Sequence, residues 1–260
     1  MRVERGRVLV GRAAAPAELR VGEVGCSVAG LARILQAVVA HLKWQPIAET
    51  LVRRGKLDGI ELRNGGMQGR GGTSPHAQAW LWPEVMDWSL KHDLAVFASS
   101  DAHWPIDFEY DRSRGERRDM TLLLASSRDG EGVRDAIKAR RTLAYFGGVM
   151  WGRERWLRAL ADGSLEIKYP PPSGPAGRQR HSLLVSNRSS FEFRAQFAAP
   201  GASFQTREIR IPPGPATVVP LNLSSGSRDL QQLDLTIKVT NMFSGIDRPL
   251  ELRRTVAAAR

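Results

Sequence analysis

The segment Tyr169-Pro-Pro-Pro-Ser-Gly-Pro-Ala-Gly177 constrains this chain more than any other. Proline lacks a backbone N–H and fixes φ, so neither a helix nor a strand runs through four prolines in nine residues. The stretch reads as a linker, 169–177, between a first domain, 1–168, and a second, 178–260. The hydrophobic pattern changes across it. Upstream, short apolar runs read as strands at 36–41, 59–62, 94–98, 120–125 and 142–146. Between them, apolar residues at helical spacing predict helices at 47–55, closed by Gly55, at 76–92, where Pro83 interrupts, and at 129–140, opened by Asp129. Strands alternating with helices predict a parallel sheet or barrel. Downstream, residues 181–186, 191–197, 208–211 and 233–239 alternate with period two. The turn clusters 187–190, 212–215 and 224–227 separate them, which predicts a small antiparallel β-sandwich with one wet face. Residues 1–30 have no readable period, and no internal repeat is visible.

Composition sets the outer limits. The 260 residues contain no run of 18 apolar positions, so no spanning helix and no membrane partner are expected. The first residues lack an apolar core and a small-residue cleavage site, and Cys26 is the single cysteine. Both fit a cytoplasmic protein in a reducing compartment. The net charge of +11 raises a nucleic-acid or phosphate partner. The plainer reading is compositional. The charge is mostly Arg, scattered through both halves and not interleaved with aromatic side chains in a stacking pattern.

The chemistry concentrates at 97–105, where an apolar strand runs into Asp101 and His103. Residues i and i+2 at a strand end point to the same side, so the carboxylate and the imidazole converge above the strand's C-terminal end. That end is where parallel barrels keep their active sites. A carboxylate oxygen with an imidazole nitrogen suits zinc, manganese or iron. The tripeptide alone is weak, and by itself it better describes an Asp that caps the next loop and a His bonded to backbone.

Residues 58–65 (Asp-Gly-Ile-Glu-Leu-Arg-Asn-Gly), then a helix, an apolar strand and Ser-Asp-Ala-His-Trp-Pro at 100–105, together resemble the late part of the PHP (polymerase and histidinol phosphatase) family. The stretch 119–125 followed by 131–146, with its Arg140-Arg141-Thr142 strand start, resembles the ending of bacterial PHP phosphoesterases. The resemblance covers 36–165 well and the β-rich tail more loosely. It implies an α/β fold, a partial (β/α)7 barrel followed by the sandwich. It also implies a hydrolase that uses divalent metal (Mn, Zn or Fe) to cleave a small phosphorylated substrate, phosphodiester or phosphomonoester. Asp101 and His103 match the family's last pair of metal ligands and would serve catalysis. His41 matches a middle ligand, with Leu42 where the family has proline; a helix-end His is the competing reading. Arg63 and Asn64, beside Glu61 at a strand end, are candidates for substrate binding, and the family pattern does not support Glu61 as a ligand. Arg112 and Arg153 are further candidates for holding phosphate oxygens, with a solvated surface residue as the competing reading for these and for Arg63.

The departure from the family is at the start. No His precedes His41, so the early His-x-His is missing, and about 165 residues are too few for seven strands with their helices. The chain reads as an incomplete version of a longer protein. Two other classes stay open: a degenerate PHP barrel that acts as a binding module, and a basic nucleic-acid-binding protein. Among the remaining features, the glycine-rich 65–72 reads as a loop over the site, because it lacks the ending of a P-loop. His76 and His92 read as surface residues on a helix, Trp80, Trp82 and Trp88 as helix packing, and His181 as a strand start without a partner. The oligomeric state is not legible.

Overall fold

The computed structural model describes residues 6–11, 21–26, 38–39, 44, 46–65, 80–100, 111, 113, 117–175, 179–224 and 231–259, with backbone alone for 6–11, 21–26, 38–39 and Trp80. The fold is mixed α/β, rich in strands and with few helices. It divides into two compact units. The first comprises 1–157 with 244–247, and the second 158–243 with 248–260. The division therefore precedes the Pro/Gly cluster at 169–177. Among the described residues no helix is long and apolar enough to cross a membrane.

The first unit holds two groups of strands. In one, β3 (Val38–Val39) and β6 (Ala95–Ser99) both run parallel to β4 (Gly59–Asn64), and β5 (Trp80–Leu81) closes antiparallel on β4. In the other, β2 (Val21–Cys26) pairs antiparallel with β1 (Gly6–Gly11), which pairs parallel with β7 (Met120–Leu123). The antiparallel strands β8 (Thr142–Phe146) and β9 (Val149–Gly152) follow. Two threonine side chains join the groups. The backbone N–H of Val96 donates to Thr142 Oγ1 at 3.0 Å and that of Ala98 to Thr121 Oγ1 at 3.0 Å. Thr121 Oγ1 donates back to the Ala98 carbonyl at 2.9 Å. Strand β6 thus satisfies its second edge through hydroxyls, which keeps buried N–H groups paired where no ladder is formed.

Helices cover these strands. Helix α1 (Pro46–Arg53) is where helical spacing places one, but Ile47 is 63% exposed and Ala48 is the buried residue. Helix α2 (Val85–Lys91) lies against β4 and β6 with Val85, Met86 and Ser89 buried. It is shorter than the expected 76–92 because Pro83 precedes it and Trp80–Leu81 is drawn into the sheet. Helix α3 (Gly130–Lys138) begins where Asp129 accepts from the Gly132 N–H at 2.8 Å, an N-cap that satisfies an orphan donor. Its buried Val133, Ala136 and Ile137 pack with Ala95, Leu123 and Ala125.

The second unit begins within α4 (Glu154–Ser164) and is otherwise β-structure. One antiparallel run has the order β10 (Leu165–Lys168), β11 (His181–Asn187), β15 (Gly214–Leu223), β13 (Ala202–Phe204). Another has the order β14 (Ile209–Ile211), β12 (Phe193–Ala198), β16 (Gln232–Phe243), β17 (Pro249–Ala257). Alternate residues are buried, as in Leu183, Val185 and Asn187, or Leu233, Leu235, Ile237 and Val239. The expected turn at 187–190 is anchored by Asn187. Its amide donates to the carbonyls of Phe191 (2.6 Å) and Ile211 (2.9 Å), and its Oδ1 accepts from Ser189.

Candidate functional site

The described part of the site lies at the C-terminal ends of β4 and β6. The two strands pair in register from Gly59↔Ala95 to Glu61↔Phe97, then shift by one residue so that Arg63 faces Ala98 and Asn64 faces Ser99. Leu62 is the extra residue of a β-bulge. A regular strand would put Glu61 and Arg63 on one side and Asn64 on the other. The bulge breaks that alternation. Asn64, fully buried, sends its amide to Glu61 Oε1 at 3.3 Å, and Ser99 Oγ donates to the same carboxylate oxygen. Arg63 turns elsewhere. Its Nε donates to Asp119 Oδ2 at 2.7 Å, and its guanidinium carbon stands 5.1 Å from the Phe146 ring centre.

Glycine is required where these strands end. Gly65 N–H donates to the Ser99 carbonyl at 2.8 Å. A Cβ at Gly65 would lie 2.8 Å from the Ser100 carbonyl oxygen and 3.2 Å from Asp119 Oδ2. Gly59, at the other end of β4, has the Phe97 ring lying against its α-carbon, leaving no room for a side chain.

Asp119 is the electrostatic centre of this region. It is 5% exposed, and burial pushes its carboxyl above the usual carboxylate range, while the hydrogen bond and charge of Arg63 pull it back. Asn64 is a candidate from the sequence, but Asp119 and the roles of Glu61 and Ser99 beside Asn64 do not stand out there as part of a site. The only signal is position: an acidic residue directly before an apolar strand, and a Glu inside one.

Arg63 and Asn64 are therefore neighbours in sequence whose side chains enter different networks. Asp101, His103 and His41 lie outside the described residues, as do Arg112, His76 and residues 66–72 of the glycine-rich stretch. Among the described residues no three His, Cys, Asp or Glu side chains gather as a metal-binding group. Three readings need correction. Arg153 bonds to Asp93 Oδ1 at 2.8 Å and to the Ser89 carbonyl at 3.2 Å, so it clamps the end of α2 instead of awaiting a phosphate. His92 is no surface residue: its side chain is 8% exposed and stacks on Trp44 at 4.4 Å. His181 has a partner, with Nδ1 2.9 Å from the Tyr169 hydroxyl.

No protein-family model matches the chain, and no curated protein matches it. Among solved structures it is similar to a two-domain protein from Bacteroides vulgatus ATCC 8482 that contains a predicted PHP-like metal-dependent phosphoesterase. The identity is 26% over 82% of this chain and 57% of that one, with a TM-score of 0.66. That likeness supports a relation to PHP-like proteins. This chain spans 57% of that protein's length. A FixG-related protein from Vibrio parahaemolyticus gives 11% identity over 37% of this chain and 98% of that one, and its TM-score of 0.23 is too low to carry an argument.

Proposed function

We propose that this chain carries a PHP-type, metal-dependent phosphoesterase site at the C-terminal edge of β3, β4 and β6. The supporting observation is the common direction of these strands. Because β3 and β6 both run parallel to β4, the chain leaves all three at one edge. His41 follows the end of β3 by two residues, and Asp101 and His103 follow the end of β6 by two and four. Parallel sheets gather their ligands beyond the carboxyl ends of their strands. The donor set, one carboxylate and two imidazoles, suits manganese, zinc or iron. On this reading Asp101, His103 and His41 would hold the ion. When bound, a divalent cation supplies an activated water and neutralises charge on phosphoryl oxygens.

The remaining residues position and orient. Asp119 occupies the Nε face of Arg63 and fixes the guanidinium plane, which leaves further N–H donors for the non-reacting oxygens of a phosphate ester. Asn64, Glu61 and Ser99 lock the ends of β4 and β6 together immediately before residue 101. We read the first unit as the late strands of a barrel, continued from β6 to β7 and β8 through Thr121 and Thr142. The second unit we read as an antiparallel sandwich. The likeness to the Bacteroides protein supports a phosphate ester as the bond cleaved, and we take its bearer to be a small molecule. Nucleic acid is less favoured, because Arg194 and Arg210 are paired with Glu192, and Arg254 with Asp162.

The test is hydrolysis of bis(p-nitrophenyl) phosphate and of p-nitrophenyl phosphate by the metal-stripped protein with and without Mn2+. Metal-dependent release that is lost in Asp101→Ala and in His103→Ala supports the reading, and the preferred ester assigns the substrate type. Metal binding without turnover points to a binding module. Release that is unchanged by either substitution rejects the site.

A further inference from the structure

The second unit carries a groove of about 830 Å³ that the phosphoesterase reading does not use. It lies at one end of three adjacent strands, where the start of β11 and the end of β13 flank the last residues of β15. His181 and Phe204 both pair with Leu221 there. Its size falls in the range of small-ligand sites, on the order of 300–1,000 Å³. The lining combines Arg180, His181, Gln179, Gln205 and Asn222 with Pro220, and among the described residues no acidic side chain lines it.

Two of these residues are held in place. Arg180 is pinned through its backbone: its N–H donates to the Ser173 carbonyl at 2.8 Å, and its carbonyl accepts from Ser173 N–H at 3.0 Å. His181 is held by the hydroxyl of Tyr169, which is 3% exposed. Burial pushes the Tyr169 phenol up, so it keeps its proton at neutral pH and can donate to Nδ1. Among the described residues, no carboxylate pairs with Arg180, and no side-chain hydrogen bond engages Gln179, Gln205 or Asn222. A guanidinium is a fork for a phosphate or carboxylate. Amides donate and accept at once, as sugar hydroxyls do. Pro220, exposed on the same face of β15 as Asn222, offers an apolar surface for a C–H face.

We propose that this groove binds an anionic, hydroxyl-rich small molecule of the sugar-phosphate class, with the anion at Arg180 and the hydroxyls at the amides. The groove is lined by residues of the second unit and does not rest on the reading given for the strand ends of the first. The full chain is titrated by saturation-transfer NMR with glucose 6-phosphate, glucose and inorganic phosphate, all with EDTA present so that no metal contributes. Glucose 6-phosphate should bind more tightly than either fragment. Arg180→Gln should weaken it about tenfold, the loss of one charge-assisted hydrogen bond. Asn222→Ala should weaken glucose 6-phosphate and leave inorganic phosphate unchanged, and Arg253→Ala, on β17, should change nothing. No binding by any probe overturns the proposal. So does equal affinity for phosphate and glucose 6-phosphate, which would make the groove an anion site only, and so does binding that neither Arg180→Gln nor Asn222→Ala affects.

Discussion

Replacing Arg63 by Met should destabilise the protein in a strongly pH-dependent way. The Arg63–Asp119 pair is close, 2.7 Å, and its side chains are 15% and 6% exposed. Breaking a buried pair by removing one member costs about 3–5 kcal/mol, and the partial exposure of Arg63 places the expected loss at neutral pH near the lower figure, about 3 kcal/mol. The pH dependence follows from Asp119. Its folded pKa is raised above the ordinary 3.8 by burial and held down by Arg63. Above pH 3.8 the unfolded chain has lost a proton that the folded chain still binds, so stability falls as pH rises through the window up to the folded value. Without Arg63 the folded value climbs further and the window widens upward. The cost of Arg63→Met should therefore be smallest below pH 3.8, where the carboxyl is protonated in both states, and should grow towards neutrality. Urea unfolding of wild type, Arg63→Met, Asp119→Asn and the double variant across that range measures it. The double variant should recover about 1–2 kcal/mol relative to Arg63→Met at pH 7, because the amide leaves no buried charge. A cost that stays flat with pH, or a double variant no better than the single one, would refute the reasoning.

Two further outcomes follow from the strands. Thr121→Val and Thr142→Val should each cost about 1–3 kcal/mol by leaving one N–H of β6 unpaired, and amide hydrogen exchange should speed at Ala98 and Val96 respectively. Asn187→Leu should lower the thermal midpoint by several degrees, since it strips the buried carbonyls of Phe191 and Ile211 of their donor; an unchanged midpoint would show that the turn at 187–190 is held by other means.

How far the sequence foretells these features depends on what each residue must do alone. Helix α3 was legible because its signals are local: an Asp129 cap and apolar residues at helical spacing. Strand β4 was legible as an apolar run, but its bulge was not, because one extra residue leaves no mark in composition. The pairing of Asn64 with Glu61, and the separation of Arg63 from both, could only be seen in the folded chain. Strands β1 and β2 escaped because glycines stand where alternating side chains would reveal a period. Strand β15 escaped because Pro215 and Pro220 argue against a strand, although Pro220 sits opposite Ser182 in the ladder. His92 and His181 were read from their positions in single elements, yet Trp44 and Tyr169 decide their environments from elsewhere in the chain. The Asp101–His103 pair drew its reading from a carboxylate and an imidazole two residues apart, and its placement lies outside the described residues.

The threonine junction decides which neighbours govern the chain beyond β6. Along β4, β6 is fixed at five paired positions and by the Gly65–Ser99 bond, so sliding it there breaks a whole series of contacts together. Along β7 and β8 it is tied at two hydroxyls, which have no periodic alignment to protect. Substitutions that displace β4 will therefore carry Ser99 and Ser100 with them, whereas equal displacements of β7 or β8 will be largely absorbed before they arrive.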